Sequence, residues 1–390
     1  MTMRLLCFVA LVAAAAAAPA HVVFVVDGAP EWGALLKAIP RADVLLRMAP
    51  TDGEEPESAA VASALSTGCL GERRAVSARG VPLGTRAALA GAATGAVTNA
   101  CMTDPTVAAF FGTAPDRYGT ATLAASVRAA GLAVHMGGAS RLFLPPNATG
   151  DACFPTTRTK LAASMGACDS GRQMVGLFGD ARSALAAECL PLPLATSKAI
   201  KTSLPSLREM TLAALSRLDA VRPGVGAFLV VGADRLDHAA HLGDVEACAA
   251  EVDSAAAAII ATLNAMAVRL RSDALVIVTG DHGTVMNGTT HTNRTVPLLI
   301  YGAGAVAAAE RAVGMALSSA HIMHPPLLKA VDFPLMFPFF PYRRANRGCT
   351  GGDRNTEAGV TRVAVIVVFT VAFALMCAVC WKVWYRRKEE

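Results

Sequence analysis

Three uninterrupted apolar runs, each followed within a few residues by a carboxylate, constrain this chain more than any other feature. They are Val22-Val23-Phe24-Val25-Val26 before Asp27, Phe228-Leu229-Val230-Val231 before Asp234 and Asp237, and Leu275-Val276-Ile277-Val278 before Asp281 and His282. Because they are apolar at every residue, such runs are strands buried on both faces, as in a parallel sheet with helices on either side. The expected fold is therefore α/β, a mostly parallel central sheet between helices. Functional groups in such sheets collect beyond the C-terminal ends of the strands, which would bring these carboxylates to one edge.

Spacing supplies the site candidates. Asp237 and His241 stand four apart, so a helical turn puts both on one face, a metal-ligand spacing that an exposed polar face would also produce. Asp281 and His282 sit side by side at a strand tip with His291 nine residues on, either a metal site or a plain Asp-His-Gly turn. Ser58 opens an Ala-rich stretch that ends at Gly68. There it either caps a helix or offers its hydroxyl where helix N-terminal amides favour a phosphate.

Further strands are expected at Gly95–Thr103, Val134–Gly138 and Val296–Tyr301, and helices at Ser206–Ala220 and Val245–Arg269. Asp104-Pro105-Thr106 leads into a helix from Val107, with Asp116-Arg117 beyond it. Pro145 to about Leu204, rich in Pro, Cys and Thr, reads as an irregular insertion, and the pattern degrades again from Ser318.

Composition matters at the chain ends. Of 390 residues 54% are hydrophobic and 17% charged, which is apolar for a soluble protein. Residues 1–20 have Arg4, an apolar run from Leu5 and the small-residue ending Ala18-Pro19-Ala20, a signal peptide. Val363–Trp381 is uncharged and long enough to cross a bilayer. Lys382, Arg386, Arg387 and Lys388 behind it belong in the cytoplasm. The expected layout is a leader (1–20), an ectodomain (21–344), a stalk (345–362), a transmembrane helix (363–381) and a cytoplasmic tail (382–390). That is a type I single-pass protein with its body extracellular or lumenal, on a plasma membrane or a viral envelope.

Of ten cysteines, seven lie between the leader and the membrane segment, where disulfides form. The odd count leaves at least one thiol free or bound to another chain, and Cys153, Cys168 and Cys189 suggest a local staple. Asn147, Asn287 and Asn293 begin glycosylation sequons, Asn147 being the first choice. More than half of the net charge of +5 sits in the leader and tail. No basic stripe marks a nucleic-acid partner.

In chain order, strand–Asp27, Ser58, strand–Thr106, Asp237-x-x-x-His241, Asp281-His282 and His291 resemble the alkaline phosphatase family. Glu57–Gly68 resembles its nucleophile segment, an Asp-Ser-Ala followed by small residues to Thr-Gly. Val97–Arg117 resembles its Thr-x-x-Thr-Pro-Ala-Ala-Phe and Asp-Arg stretch, and Gly137-Gly138 its Gly-Gly-Gly turn. The likeness runs from about His21 to Gly304. It implies two zinc ions, one held by Asp237, His241 and His291, the other by Asp27, Asp281 and His282 with Ser58. Ser58 would be a covalent nucleophile and Arg117 the phosphate-binding arginine. The implied substrates are small phosphate monoesters, with a lipid bilayer as the other partner and a homodimer left open.

Three departures stand out. The family's third site, usually magnesium, would use Asp27 and Thr106, with Asp104 beside them, but Gly232 stands in place of its glutamate. Asp234, two residues on and shorter, is not expected to replace it, so magnesium should bind poorly. Glu57 replaces the aspartate before the nucleophile and Val107 replaces a proline. Rival expectations are a surface glycoprotein without turnover, or a phosphodiesterase or phosphoethanolamine transferase of the same superfamily.

Overall fold

The computed structural model describes residues 20–338, apart from 30–31, 52–54, 139–140, 144–152, 170, 179–193, 197–202, 222–225, 289 and 318–324. The leader up to Pro19, the stalk, the expected transmembrane helix, the tail and Asn147 lie outside the described residues. Among the described residues no helix is long and apolar enough to cross a membrane.

The first half of the chain runs β1 (His21–Val25), α1 (Trp32–Ala38), β2 (Val44–Ala49), α2 (Ser58–Thr67), α3 (Leu83–Leu89), β3 (Ala93–Cys101), α4 (Pro105–Ala108), α5 (Thr120–Ala129) and β4 (Val134–Gly138). The second half runs α6 (Arg158–Ala167), β5 (Met174–Phe178), α7 (Leu207–Val221), β6 (Ala227–Gly232), α8 (Arg235–His241), α9 (Val245–Ala265), β7 (Leu275–Thr279), β8 (Gly283–Thr284), β9 (His291–Thr292), β10 (Val296–Tyr301), α10 (Ala305–Val313) and β11 (Leu327–Lys329). Nine of the strands form one sheet in the order β11-β2-β10-β7-β1-β6-β3-β4-β5. Only β10 runs against its neighbours, β2 and β7; β8 and β9 pair as a separate ribbon.

The alternation of side chains along each strand divides the core in two. Val23, Val25, Val230 and Ile277 pack under α2, α3, α4, α5 and α10. Val22, Phe24, Val231, Val276 and Val278 pack under α1, α6, α7, α8 and α9. This explains the unbroken apolar runs: both faces of β1, β6 and β7 are covered, so neither parity of residue meets water.

Two expectations need correction. The stretch from Pro145 is not an irregular insertion throughout, because it contains α6 and the edge strand β5. Thr157 caps α6 by accepting from Lys160 N at 3.2 Å; the Cys153–Cys168 disulfide closes the chain across the two ends of α6, and Val175 N of β5 donates to Cys153 O at 2.9 Å. The five residues of β5 are all buried, but Gly176 and the flanking polar residues obscured their run. The chain after Ser318 is also not shapeless, since β11 adds a parallel edge strand against β2. Of the thiols, Cys69 and Cys101 are also disulfide-bonded, and Cys248 is free and buried.

Candidate metal centre

β7, β1 and β6 lie side by side and end level, Val25 pairing with Thr279 on one side and Gly232 on the other. Their tips therefore deliver Asp281 and His282, Asp27, and the N-terminus of α8 to one place. Gly28, at φ +62°, makes the turn after Asp27. A Cβ there would overlap the Asp237 carboxylate, so only glycine lets the β1 turn and α8 approach this closely.

Asp237, His241 and His291 form one group able to hold a metal ion. Asp237 Oδ2 lies 3.2 Å from His241 Nε2, which lies 3.2 Å from His291 Nε2. The other ring nitrogens are spoken for by main-chain carbonyls: His241 Nδ1 donates to Gly288 O, and His291 Nδ1 donates to Pro56 O at 2.8 Å. A carbonyl can only accept, so each ring keeps its Nε2 lone pair for the centre. Thr284 Oγ1 donates to Asp237 Oδ1 and holds that carboxylate in place.

The second group surrounds His282 Nε2. Ser58 Oγ is 2.9 Å from it, and Asp27 Oδ1 and Asp281 Oδ2 are each 3.4 Å away. All four residues are buried, and neither of those two carboxylate oxygens receives a hydrogen bond. Asp27, Asp237 and His282 also qualify as a metal-binding group, so Asp237 joins the two clusters. The rings of His282 and His291 stack with centroids 3.8 Å apart.

Ser58 is not the helix cap considered from the sequence. Glu57 caps α2, accepting at Oε2 from Ala60 N at 3.1 Å and from Arg74 N at 3.3 Å. Its other oxygen pairs with Arg117. The longer acid before the serine thus still anchors the arginine, and the Ser58 hydroxyl is free to face His282. Thr106 Oγ1 donates to Asp27 Oδ2 at 2.8 Å, and Thr106 N donates to Asp104 Oδ1 at 3.2 Å. Asp234 behaves differently from a strand residue: β6 stops at Gly232, and Asp234 is the helical N-cap position of α8 at φ −81° and ψ −17°. Asn287 and Asn293 are both exposed beside the β8–β9 ribbon. Asn287 has φ +54°, and Asn293 Oδ1 accepts from Thr51 Oγ1 at 3.1 Å.

Crowding shapes the protonation chemistry. Burial pushes Asp27 well above the ordinary carboxylate range, and Asp281, Asp237, Asp104 and Asp234 push the same way. Asp281 is raised to about 7, first by burial, and burial lowers His282 to about 4. These acids are stable together as anions only beside a compensating positive charge. Arg117 is held charged: burial opposes it, but Asp104, Glu57 and Asp27 outweigh burial.

The sequence therefore named Asp27, Ser58, Asp104, Thr106, Arg117, Asp237, His241, Asp281, His282 and His291, and the fold brings them to one edge. It did not point to Pro56, Thr284 or Gly288. A main-chain carbonyl carries no residue signature, and Thr284 gained meaning only once the ribbon placed it against Asp237.

The comparisons agree with this geometry. The profile of the Metalloenzyme superfamily matches residues 198–328, a span that holds Asp237, His241, Asp281, His282 and His291. No curated protein matches the sequence. Among solved structures, the alkaline phosphatase of the Antarctic bacterium TAB5 is 17% identical with a TM-score of 0.63, over 83% of this chain and 98% of its own. The Thermus thermophilus alkaline phosphatase is 20% identical with a TM-score of 0.65, over 82% of this chain and 90% of its own. A cold-active alkaline phosphatase from Shewanella sp. is 22% identical with a TM-score of 0.54, over 68% of each chain. The sheet, its covering helices and the clustered Asp and His residues make this chain a protein of the alkaline phosphatase fold.

Proposed function

We propose that the chain hydrolyses phosphate monoesters outside the cytoplasm, using two zinc ions and Ser58 as a covalent nucleophile. The observation that carries this reading is the Ser58 hydroxyl, 2.9 Å from His282 Nε2 and released from capping by Glu57. Mixed nitrogen and oxygen donors suit zinc. The two carboxylate oxygens without hydrogen bonds at Asp27 and Asp281 are the anionic atoms such an ion would satisfy. Asp237, His241 and His291 would hold one ion, and Asp27, Asp281, His282 and Ser58 the other. Bound zinc would supply Lewis acidity to the attacking and leaving oxygens.

The chain's own residues supply the rest. Arg117, anchored by Glu57 beside the first residue of α2, offers its remaining N–H groups to two phosphate oxygens. Ser58 Oγ bonds to phosphorus as the ester P–O bond breaks; the serine proton passes to solvent and the alcohol leaves protonated. Water then cleaves the phosphoserine, releasing inorganic phosphate and restoring the hydroxyl. Arg117 favours monoesters over diesters, because a monoester presents more unesterified oxygens to its planar fork. The rival reading of a display protein without turnover rests on Gly232.

The test is turnover of a chromogenic phosphate ester by the purified protein, with bound zinc counted. Ser58→Ala should lose at least a thousandfold in kcat, on the scale of removing a nucleophile, while zinc stays near two per chain. His291→Ala should lose zinc together with activity. Full activity in Ser58→Ala would overturn the mechanism.

A further inference from the structure

Arg117 has a second arginine beside it. Its main-chain N–H donates to Arg74 O at 2.7 Å, and its guanidinium carbon lies 6.0 Å from the centroid of the Tyr118 ring. The guanidinium carbon of Arg74 lies 5.4 Å from the same centroid. Two cations therefore share one aromatic ring at the rim of the site, where Glu57 and Ser58 begin α2.

The loop that carries Arg74 is held in an uncommon shape. Arg74 has φ +71° and Ser77 φ +44°, a region that residues other than glycine enter rarely. Arg74 N donates to Glu57 Oε2 at 3.3 Å, and Val76 exchanges two hydrogen bonds of 2.9 Å with Ala114. Ser77 N donates to Ser63 Oγ at 2.7 Å, and Ser77 Oγ donates to Ala109 O at 2.8 Å. Tyr118 N donates to Asp116 Oδ1 at 3.0 Å. Strained backbone persists only where its surroundings over-determine it, and it gathers at functional sites. Here it sets a guanidinium against Tyr118.

The two arginines differ in their partners. Arg117 is partly buried and paired with Glu57. Arg74 is exposed, and among the described residues no carboxylate pairs with its guanidinium. Glu72, two residues away, pairs with Arg79 instead. The Tyr118 ring is 69% exposed, so Arg74 and its aromatic seat face solvent next to the arginine that would hold the phosphate.

We propose that Arg74, seated on Tyr118, is a specificity-determining residue that meets a second anionic group, a further phosphate, on the leaving group of the ester. The proposal deepens the function argued above and rests on it. Arg117 takes oxygens of the phosphoryl group that passes to Ser58, and Arg74 takes oxygens of the group that stays on the alcohol. The ring steadies the long side chain, which reduces the ordering it must undergo on binding. Because Arg74 is exposed, water and salt screen the contact, and the preference is a matter of a few-fold.

The experiment compares kcat/KM of the zinc-loaded protein for a diol monophosphate and for the bisphosphate of the same diol, at low and high ionic strength. Counted per phosphate, the bisphosphate should be preferred about fivefold at low ionic strength, mainly through KM, and the preference should fade with salt. Arg74→Gln should remove the preference. Arg74→Gly should also remove it without lowering the thermal midpoint, since glycine suits φ +71°. Tyr118→Phe keeps the ring and should retain it. Arg79→Gln removes the same charge from the same loop and should leave the preference within twofold. A preference unmoved by Arg74→Gln, or lost equally in Arg79→Gln, would overturn the proposal. Turnover of both esters with no preference refutes this inference alone; no turnover of either refutes the function and this inference with it.

Discussion

Glu57 joins the stability of α2 to the placement of Arg117, and three substitutions separate those tasks. Glu57→Ala removes the cap on Ala60 N, the acceptor for Arg74 N and the partner of Arg117. Losing an N-cap costs about 1 kcal/mol, and the second hydrogen bond about 1 kcal/mol. Leaving a partly buried guanidinium without its nearest acid adds roughly 1 kcal/mol, for a total of about 3 kcal/mol. Glu57→Gln keeps the acceptor but loses the charge, so it should cost only about 1 kcal/mol. A charge-assisted contact to phosphate is worth roughly 1.5–3 kcal/mol. An arginine that loses its anchor should therefore lower kcat/KM about tenfold in the Gln variant, mainly through KM. Glu57→Asp, one methylene shorter, should retain the pairing and stay within a few-fold of the unaltered protein.

Acid titration gives an independent check. Burial alone would raise the Glu57 pKa, but Arg117 and the hydrogen bonds from Arg74 and Ala60 lower it overall. A depressed carboxylate contributes stability that is present above its unfolded pKa and lost as pH falls through the folded value. The Gln variant should lack that part of the acid limb. The assays are thermal melts of the zinc-loaded protein across pH and steady-state kinetics on a phosphate ester. Melts and kcat/KM of Glu57→Ala within twofold of the unaltered protein would refute the coupling.

Two other outcomes follow from the chain as a whole. His135 is buried in β4 against Phe143, with ring centroids 4.7 Å apart, and burial lowers its pKa to about 3. The unfolded chain takes up a proton near pH 6.5 that the folded chain refuses until about 3, so stability falls with pH across that window; His135→Phe should move acid unfolding to lower pH, and an unmoved midpoint would refute this. The proposed type I arrangement predicts that protease added to intact cells releases the body by cutting between Ala345 and Arg362 while a C-terminal tag stays protected.

The sequence by itself determined the sheet and its tips. The runs at β1, β6 and β7 are legible because a strand covered on both faces must be apolar at every residue, and Asp237 and His241 because helical spacing is local. β4 and β10 were also placed to the residue. Tertiary structure decided what depends on partners distant in sequence. Local spacing left Ser58 as cap or nucleophile; Glu57, held by Arg74 and Arg117, takes the cap and frees the hydroxyl. The rise of a continued strand and its shorter side chain set Asp234 apart from the site, but Asn99 and Thr98, from the neighbouring β3, hold its carboxylate over Gly232. The ring nitrogens of His241 and His291 are oriented by carbonyls of Gly288 and Pro56, which any residue could provide. Residue type encodes burial and period, whereas the direction of a buried polar side chain is fixed by whichever donor or acceptor the folded chain brings against it.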